Sequence, residues 1–274
     1  MKEWELLVEK RPLPGSLNMA VDEYLFRSPG LAPQTCVRFY QWERPTASLG
    51  YSQVAEKAVD LDFCRQQGVD VVRRITGGKL VLHHREVTYS VTSSDVRVFS
   101  PTVAESYRLI SCALIRGLKE MGLEARLAGP PPSSYGKGNL PCFSYPARNE
   151  VEIAGRKIIG SAQKRVGPRF LQHGSILLES DAELLRRVAA PSGSGNQLRL
   201  VSLSEALRRS VGFGRAVENL KRGFEGYFGV RFKPKVFSPE ELEIIQNIEK
   251  TKYGTEDWTL RRKEQKTVDF FIAR

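Results

Sequence analysis

The chain has 274 residues and a formal net charge of +11. That length buries a sizeable core, as one large domain or two modest ones, and no apolar run approaches the roughly 18 residues that span a bilayer. Charges in the opening MKEWELLVEK stand where a signal peptide needs its apolar centre. Four cysteines, at 36, 64, 112 and 142, form no CxxC pair and no metal-ligand spacing. This argues against a zinc site and leads us to expect a reducing cytoplasm. The positive balance asks for an acidic partner. The basic residues are dispersed and no nucleic-acid-binding signature stands out, so an acidic protein is expected, with no nucleic acid and no membrane.

In order, Glu3 to Val8 reads as a strand, and Ser16 as the N-cap of a helix with the stripe Leu17, Ala20, Val21, Tyr24 and Leu25. Thr35 to Trp42 alternates as a strand burying Cys36; Ala47 to Tyr51 is another. Cys64 falls in a helix around Leu61-Asp62-Phe63. Val69 to Arg74 and Leu80 to His83 read as a hairpin through Thr76-Gly77-Gly78, and Glu86 to Thr92 as a further strand. Positive φ alone is a sufficient reason for paired glycines. Arg73, Arg74 and His83, however, would set two cations and an imidazole at that hairpin's mouth, a setting for the polar end of a ligand. His83 and His84 are adjacent, so a strand turns them to opposite faces. Ser100-Pro101 opens a long helix with Tyr107, Ile110, Ala113, Leu114 and Leu118 inward, Cys112 within it, and Gly122 at its end. The proline- and glycine-rich run 129–141 reads as a long loop.

The centre of the chain runs from Pro141 to Ser175. Glu150 to Ile153 alternates, Ala154-Gly155-Arg156 turns, and Lys157 begins a strand that continues through Gly160-Ser161-Ala162. This hairpin sets Lys157 near the loop that holds Cys142 between prolines. A neighbouring ammonium favours the thiolate, which makes the thiol an acyl-accepting nucleophile. The plainer readings are an inert cysteine and an exposed strand lysine. Arg169 to Leu178 is a strand containing His173-Gly174. Capping sequences at Ser180–Glu183, Ser202–Glu205 and Ser238–Glu241 start helices, Arg215 to Phe228 is another helix, and Val230 to Phe232 is a short strand. Without regular βαβ alternation, the fold class is α+β, a mixed, largely antiparallel sheet flanked by helices. We expect a single domain over 1–274, with the helical segment from about 202 packed on it.

Two segments carry a family resemblance: Arg73-Arg74-Ile75-Thr76-Gly77-Gly78 with Val81 and His83, and GRKIIGSAQKR followed by LQHGSILL. They resemble the lipoate–protein ligase A and octanoyltransferase family, a likeness that reaches from Trp4 to Lys252-Tyr253…Trp258. The Pro141-Cys142-Phe143 loop resembles its cysteine-dependent octanoyltransferase branch. The Ser48-Leu49-Gly50-Tyr51 segment resembles the family's early binding-site strand, in which a glycine lets ligand and backbone approach closely. The resemblance implies a fold similar to the catalytic domains of class II aminoacyl-tRNA synthetases and biotin ligases. It implies catalysis without cofactor, metal or ATP: Cys142 takes octanoyl from octanoyl-acyl carrier protein as a thioester and passes it to a lysine of a lipoyl domain, such as the glycine cleavage H protein. Lys157 is then the second catalytic residue, as base or oxyanion stabiliser. Arg74, Thr76, Gly77, Gly78, His83, Gly160, Ser161, Ala162, His173 and Gly174 bind the substrate, and a monomer is expected. The ligases of the family usually carry a third glycine where Lys79 stands. Arg148-Asn149-Glu150 partly resembles their Arg-Asn-Asp run, which keeps an ATP-dependent lipoate–protein ligase open. A non-catalytic basic binding protein on the same scaffold is the third reading.

Overall fold

The computed structural model describes residues 2–28, 34–129, 150–190 and 199–263. Cys142, most of the loop from 129 and the chain end from 264 lie outside the described residues. The first half runs β1 (Lys2–Val8), α1 (Gly15–Arg27), β2 (Thr35–Tyr40), β3 (Thr46–Leu49), α2 (Ala55–Ala58), α3 (Leu61–Gln67), β4 (Asp70–Arg73), β5 (Val81–His83) and β6 (Glu86–Ser93). Then come α4 (Val103–Glu120), β7 (Arg126–Leu127), β8 (Val151–Ile153), β9 (Arg156–Val166) and β10 (Arg169–Leu177). The last part is α5 (Ala182–Val188), α6 (Leu203–Leu207), α7 (Phe213–Phe228), β11 (Val230–Pro234), α8 (Pro239–Ile248), a π-helical turn Glu249–Tyr253, and α9 (Glu256–Thr259).

Eight strands make the large sheet, in the order β11-β1-β2-β6-β10-β9-β8-β7. β1 lies parallel to β11 and β2; the other pairs are antiparallel. The α+β expectation is met. Strand alternation explains one face. Val37 and Phe39 of β2, Val87, Tyr89 and Val91 of β6, and Phe170 and Ile176 of β10 form one apolar layer. The stripe of α4 (Ile110, Ala113, Leu114, Leu118) and that of α7 (Val217, Leu220, Phe224) cover it.

A second sheet has the order β4-β3-β5, and it corrects the hairpin expected at Thr76-Gly77-Gly78. β3 lies between the two strands, parallel to β4 and antiparallel to β5. The parallel pair needs a crossover, which α2 and α3 supply; no local pattern in β4 or β5 announces the strand that separates them. Helix starts differ in detail too. Pro14 stands at the N-cap of α1, while the Ser16 hydroxyl donates to Glu249 Oε1 at 2.6 Å. Thr102 caps α4 in place of Ser100-Pro101, and Asp181 caps α5 in place of Ser180. Ser202 and Ser238 cap as expected, Ser238 with a full reciprocal box.

Helices α4 and α7 meet almost backbone to backbone. A Cβ on Gly223 would lie 2.4 Å from Gly117 N and 2.5 Å from Ala113 O. Gly223→Val is therefore expected to cost about 3 kcal/mol, measured as a lower urea midpoint with unchanged m-value.

Candidate active site

Register builds the site. Tyr40, Thr88, Ser175 and Gly160 are cross-strand partners in one row, and Arg38, Ser90, His173 and Ala162 form the next. Residues two apart on a strand share a face, so both rows lie on the face opposite the apolar layer. Alternation alone reads this polar face as solvated. The structure instead covers it with α1 and the small sheet, and every residue of β6 is buried. A pocket remains between the layers. It is lined by Met19, Tyr40, Trp42, Ser48, Arg74, Gly78, Val81, His83, Thr88, Gly160, Ser161, Ala162, His173, Gly174 and Ser175. Of the residues expected to bind substrate, only Thr76 and Gly77 are not in this lining.

The polar groups around the pocket are tied to one another. Asp22 of α1, missed in the sequence, accepts from Arg38 Nη1 (2.9 Å), the Ser90 hydroxyl (2.9 Å) and the Tyr40 hydroxyl (2.9 Å), and faces His173 Nδ1 at 3.1 Å. His173 Nε2 is 2.7 Å from the Thr76 hydroxyl, which gives Thr76 a supporting place behind the wall. Across the pocket, His83 Nδ1 is 2.8 Å from Glu86 Oε1, and its Nε2 is 2.7 Å from the Ser48 hydroxyl. Glu86 also accepts from Thr88 and Ser175. Trp42 stacks on the His83 ring at 4.1 Å and donates Nε1–H to Thr88 at 2.7 Å. Among the described residues, no buried side-chain nitrogen or oxygen of the lining lacks a partner. Glu86 and Trp42 were also missed; the signal for Glu86 was a carboxylate three residues after His83 on a polar strand face.

Burial holds the His173 imidazole below its ordinary value of 6.5, against the upward pull of Asp22. Burial pulls the Asp22 carboxyl up, but the His173 hydrogen bond and the Arg38 charge outweigh it, so the net shift is downward. A neutral ring donating Nδ1–H to Asp22 and accepting the Thr76 hydroxyl at Nε2 satisfies both contacts.

The two arginines expected at the mouth of the site hold backbone carbonyls, and of the two Arg74 lines the pocket. Arg73 is buried, and its guanidinium donates to the carbonyls of Gly50, Tyr51, Gln53, Trp258 and Thr259 at 2.7–3.2 Å. Arg74 donates Nη1 to the Ser48 carbonyl (2.7 Å) and hydroxyl (2.9 Å), and Nη2 to Gly77 O (3.0 Å) and Lys79 O (2.7 Å). It shapes the loop that brings Gly78, with φ +96°, over Ala162. Gly50 makes room for this loop: a Cβ there would lie 2.0 Å from Gly78 O. The close approach foreseen at Gly50 is thus to backbone. His84 is turned away, as expected, to Asp181 Oδ2 at 3.2 Å.

The hairpin around Ala154-Gly155 forms, with both residues at positive φ as a two-residue primed turn requires. Lys157 is not the exposed strand lysine of the plain reading: it is buried, with Nζ 2.7 Å from Glu150 Oε1. A register shift between β8 and β9 explains its direction. The extra residue sends both Ile158 and Ile159 into the apolar layer, which returns Lys157 to the face that Gly160 and Ala162 share. Its backbone pairs with the 199–201 segment, through Lys157 N–H to Arg199 O and Val201 N–H to Lys157 O. Whether Cys142 approaches it falls on residues outside those described.

Residues 14–225 match the family model of the lipoyl protein ligase A/B catalytic domain. The chain belongs to that family. It is 39% identical over 277 residues to Octanoyltransferase LipM of Kyrpidia tusciae, covering 96% of this chain and 100% of that one. The Octanoyltransferase LipM of Geobacillus kaustophilus is 37% identical over 278 residues, covering 95% and 99%. Among solved structures, a bipartite lipoate protein ligase from Thermoplasma acidophilum superposes with a TM-score of 0.81 at 25% identity, over 98% of this chain and 100% of that one. A lipoate-protein ligase A bound with ATP gives 0.79 at 26%, over 94% and 98%. In this lipoyl-ligase fold the pocket's buried histidine has a thermodynamic signature. A histidine whose folded pKa is depressed contributes stability above 6.5 that declines as pH falls below it. The wild-type urea midpoint is expected to fall between about pH 7 and pH 5, and His173→Gln to flatten that fall.

Proposed function

We propose that this chain is an octanoyltransferase of lipoate biosynthesis. The observation that carries the reading is the near full-length match to octanoyltransferases LipM, at 37–39% identity. The pocket supports it. A wall whose buried polar groups are already paired offers an alkyl chain carbon surface and leaves no donor unsatisfied when water departs. The thiolate of Cys142 attacks the thioester of octanoyl-acyl carrier protein; its bond to the acyl carbon forms as the carrier's C–S bond breaks. The carrier thiolate leaves and takes up the proton that Cys142 gave. The ε-amine of a lysine on a lipoyl domain, such as the glycine cleavage H protein, then forms the amide, releases a proton and restores the Cys142 thiolate. An ammonium beside Glu150 suits Lys157 to stabilise the developing oxyanion rather than to take a proton. Arg74, Gly78, His83, Gly160, Ser161, Ala162, His173 and Gly174 surround the chain, with Thr76 and Gly77 supporting them. The basic surface meets acidic carriers, and the enzyme acts as a cytoplasmic monomer.

ATP-dependent lipoate ligation is the second reading, favoured by the likeness to the ligase structure bound with ATP. Intact mass after incubation with octanoyl-acyl carrier protein, without ATP, separates the two. The expected result is one octanoyl adduct, sensitive to hydroxylamine, present in wild type and absent from Cys142→Ala. ATP-dependent modification of a lipoyl domain by free lipoate in both proteins, without an adduct, would establish the ligase instead.

A further inference from the structure

The Lys252-Tyr253…Trp258 motif takes no part in the chemistry above, yet all three side chains are buried. The π-helical turn Glu249–Tyr253, closed by Gly254 N–H to Glu249 O at 2.7 Å, aims two consecutive side chains at one carboxylate. Lys252 Nζ lies 3.0 Å from Glu23 Oε1, and the Tyr253 hydroxyl donates to Glu23 Oε2 at 2.6 Å. The same ammonium stands 4.1 Å above the Trp258 ring. Trp258 donates Nε1–H to Arg73 O at 2.9 Å, and Arg73 Nε returns a bond to Trp258 O at 3.2 Å.

Both anchors stand next to the pocket. Glu23 is one helical turn beyond Met19, which lines it, and follows Asp22, which holds His173. Arg73 precedes Arg74, whose guanidinium shapes the Gly77–Lys79 loop. The motif therefore ties α1, one wall of the pocket, to the end of β4, where the other wall begins. We infer that Lys252, Tyr253 and Trp258 are positioning residues: the clamp fixes the separation of the two walls and with it the length of acyl chain the pocket accepts. This rests on the pocket being the acyl site.

The test gives the enzyme octanoyl- and dodecanoyl-acyl carrier protein together and follows both acyl-enzyme masses with time. The ratio of the two rates does not depend on how much of the protein is folded, so a purely structural role leaves it unchanged. Tyr253→Phe deletes one hydrogen bond and keeps the ring; Trp258→Phe deletes one hydrogen bond and leaves a smaller aromatic ring under the Lys252 ammonium. Each is expected to shift the ratio about fivefold towards dodecanoyl, the size of effect one lost hydrogen bond allows. Lys252→Arg, which keeps the charge against Glu23, retains the wild-type ratio. A wild-type octanoyl adduct with ratios within about twofold of wild type in both phenylalanine variants, inside the spread of that energy, overturns the clamp and leaves the octanoyltransferase reading standing. No adduct in wild type with either carrier overturns both.

Discussion

A carboxylate buried on a β-sheet is the constraint on which the rest of this molecule depends. Asp22 is almost wholly removed from water, and an unpaired charge in that position costs several kcal/mol. Its partners come from three strands: Arg38 and Tyr40 from β2, Ser90 from β6 and His173 from β10. Satisfying one carboxylate thus fixes the seat of α1 on the sheet, the register of three strands and the orientation of one imidazole. Glu86 does the same on the other side, gathering His83, Thr88 and Ser175. The pocket is the space left between two such polar knots. An apolar cavity could instead be lined with leucine and valine, but such a lining specifies shape loosely. Directional bonds fix the polar wall residues, and their mutual satisfaction leaves little polarity facing inward.

The margin of the sheet follows a different logic. Lys157 owes its direction to one extra residue in β9 and its burial to Glu150 and the 199–201 segment. Bulges re-aim side chains in this way without disturbing the strands on either side. The register shift and the ion pair both lie in the hairpin that the sequence marks most clearly. The pocket's walls rest on the sheet; the direction of Lys157 rests on a local irregularity at its margin.

What the sequence reveals and conceals divides along the same line. Val87, Tyr89 and Val91 alternate with Glu86, Thr88 and Ser90, so a half-buried strand is legible; that its polar side lies beneath another layer is not, because the covering helix comes from more than 60 positions away. The Ala154-Gly155 turn is legible because its two residues determine its conformation. β4 and β5 read as a hairpin because nothing within them records that β3 will come between. That Arg73 and Arg74 hold backbone carbonyls is not legible, since carbonyl acceptors leave no trace in side-chain identity. The family was legible because the loop, the second hairpin and the histidine strand follow one another in order. Cys142 remains a reading of the sequence.

The place of β1 has a consequence for how the chain is made. It lies between β2 and β11, in parallel register with both, from Lys2 opposite Val230 to Val8 opposite Phe39. Its pairing with β2 needs the chain only as far as Tyr40, whereas its outer edge has no strand to meet until Val230 has been synthesised. Until then that edge, with Trp4 packed on Phe99 but still without Phe228 and Phe232, offers unpaired backbone and a partly covered indole to any neighbouring chain. Chaperone capture of the nascent chain would therefore centre on β1, and the yield of folded protein would depend on how quickly ribosomes reach β11.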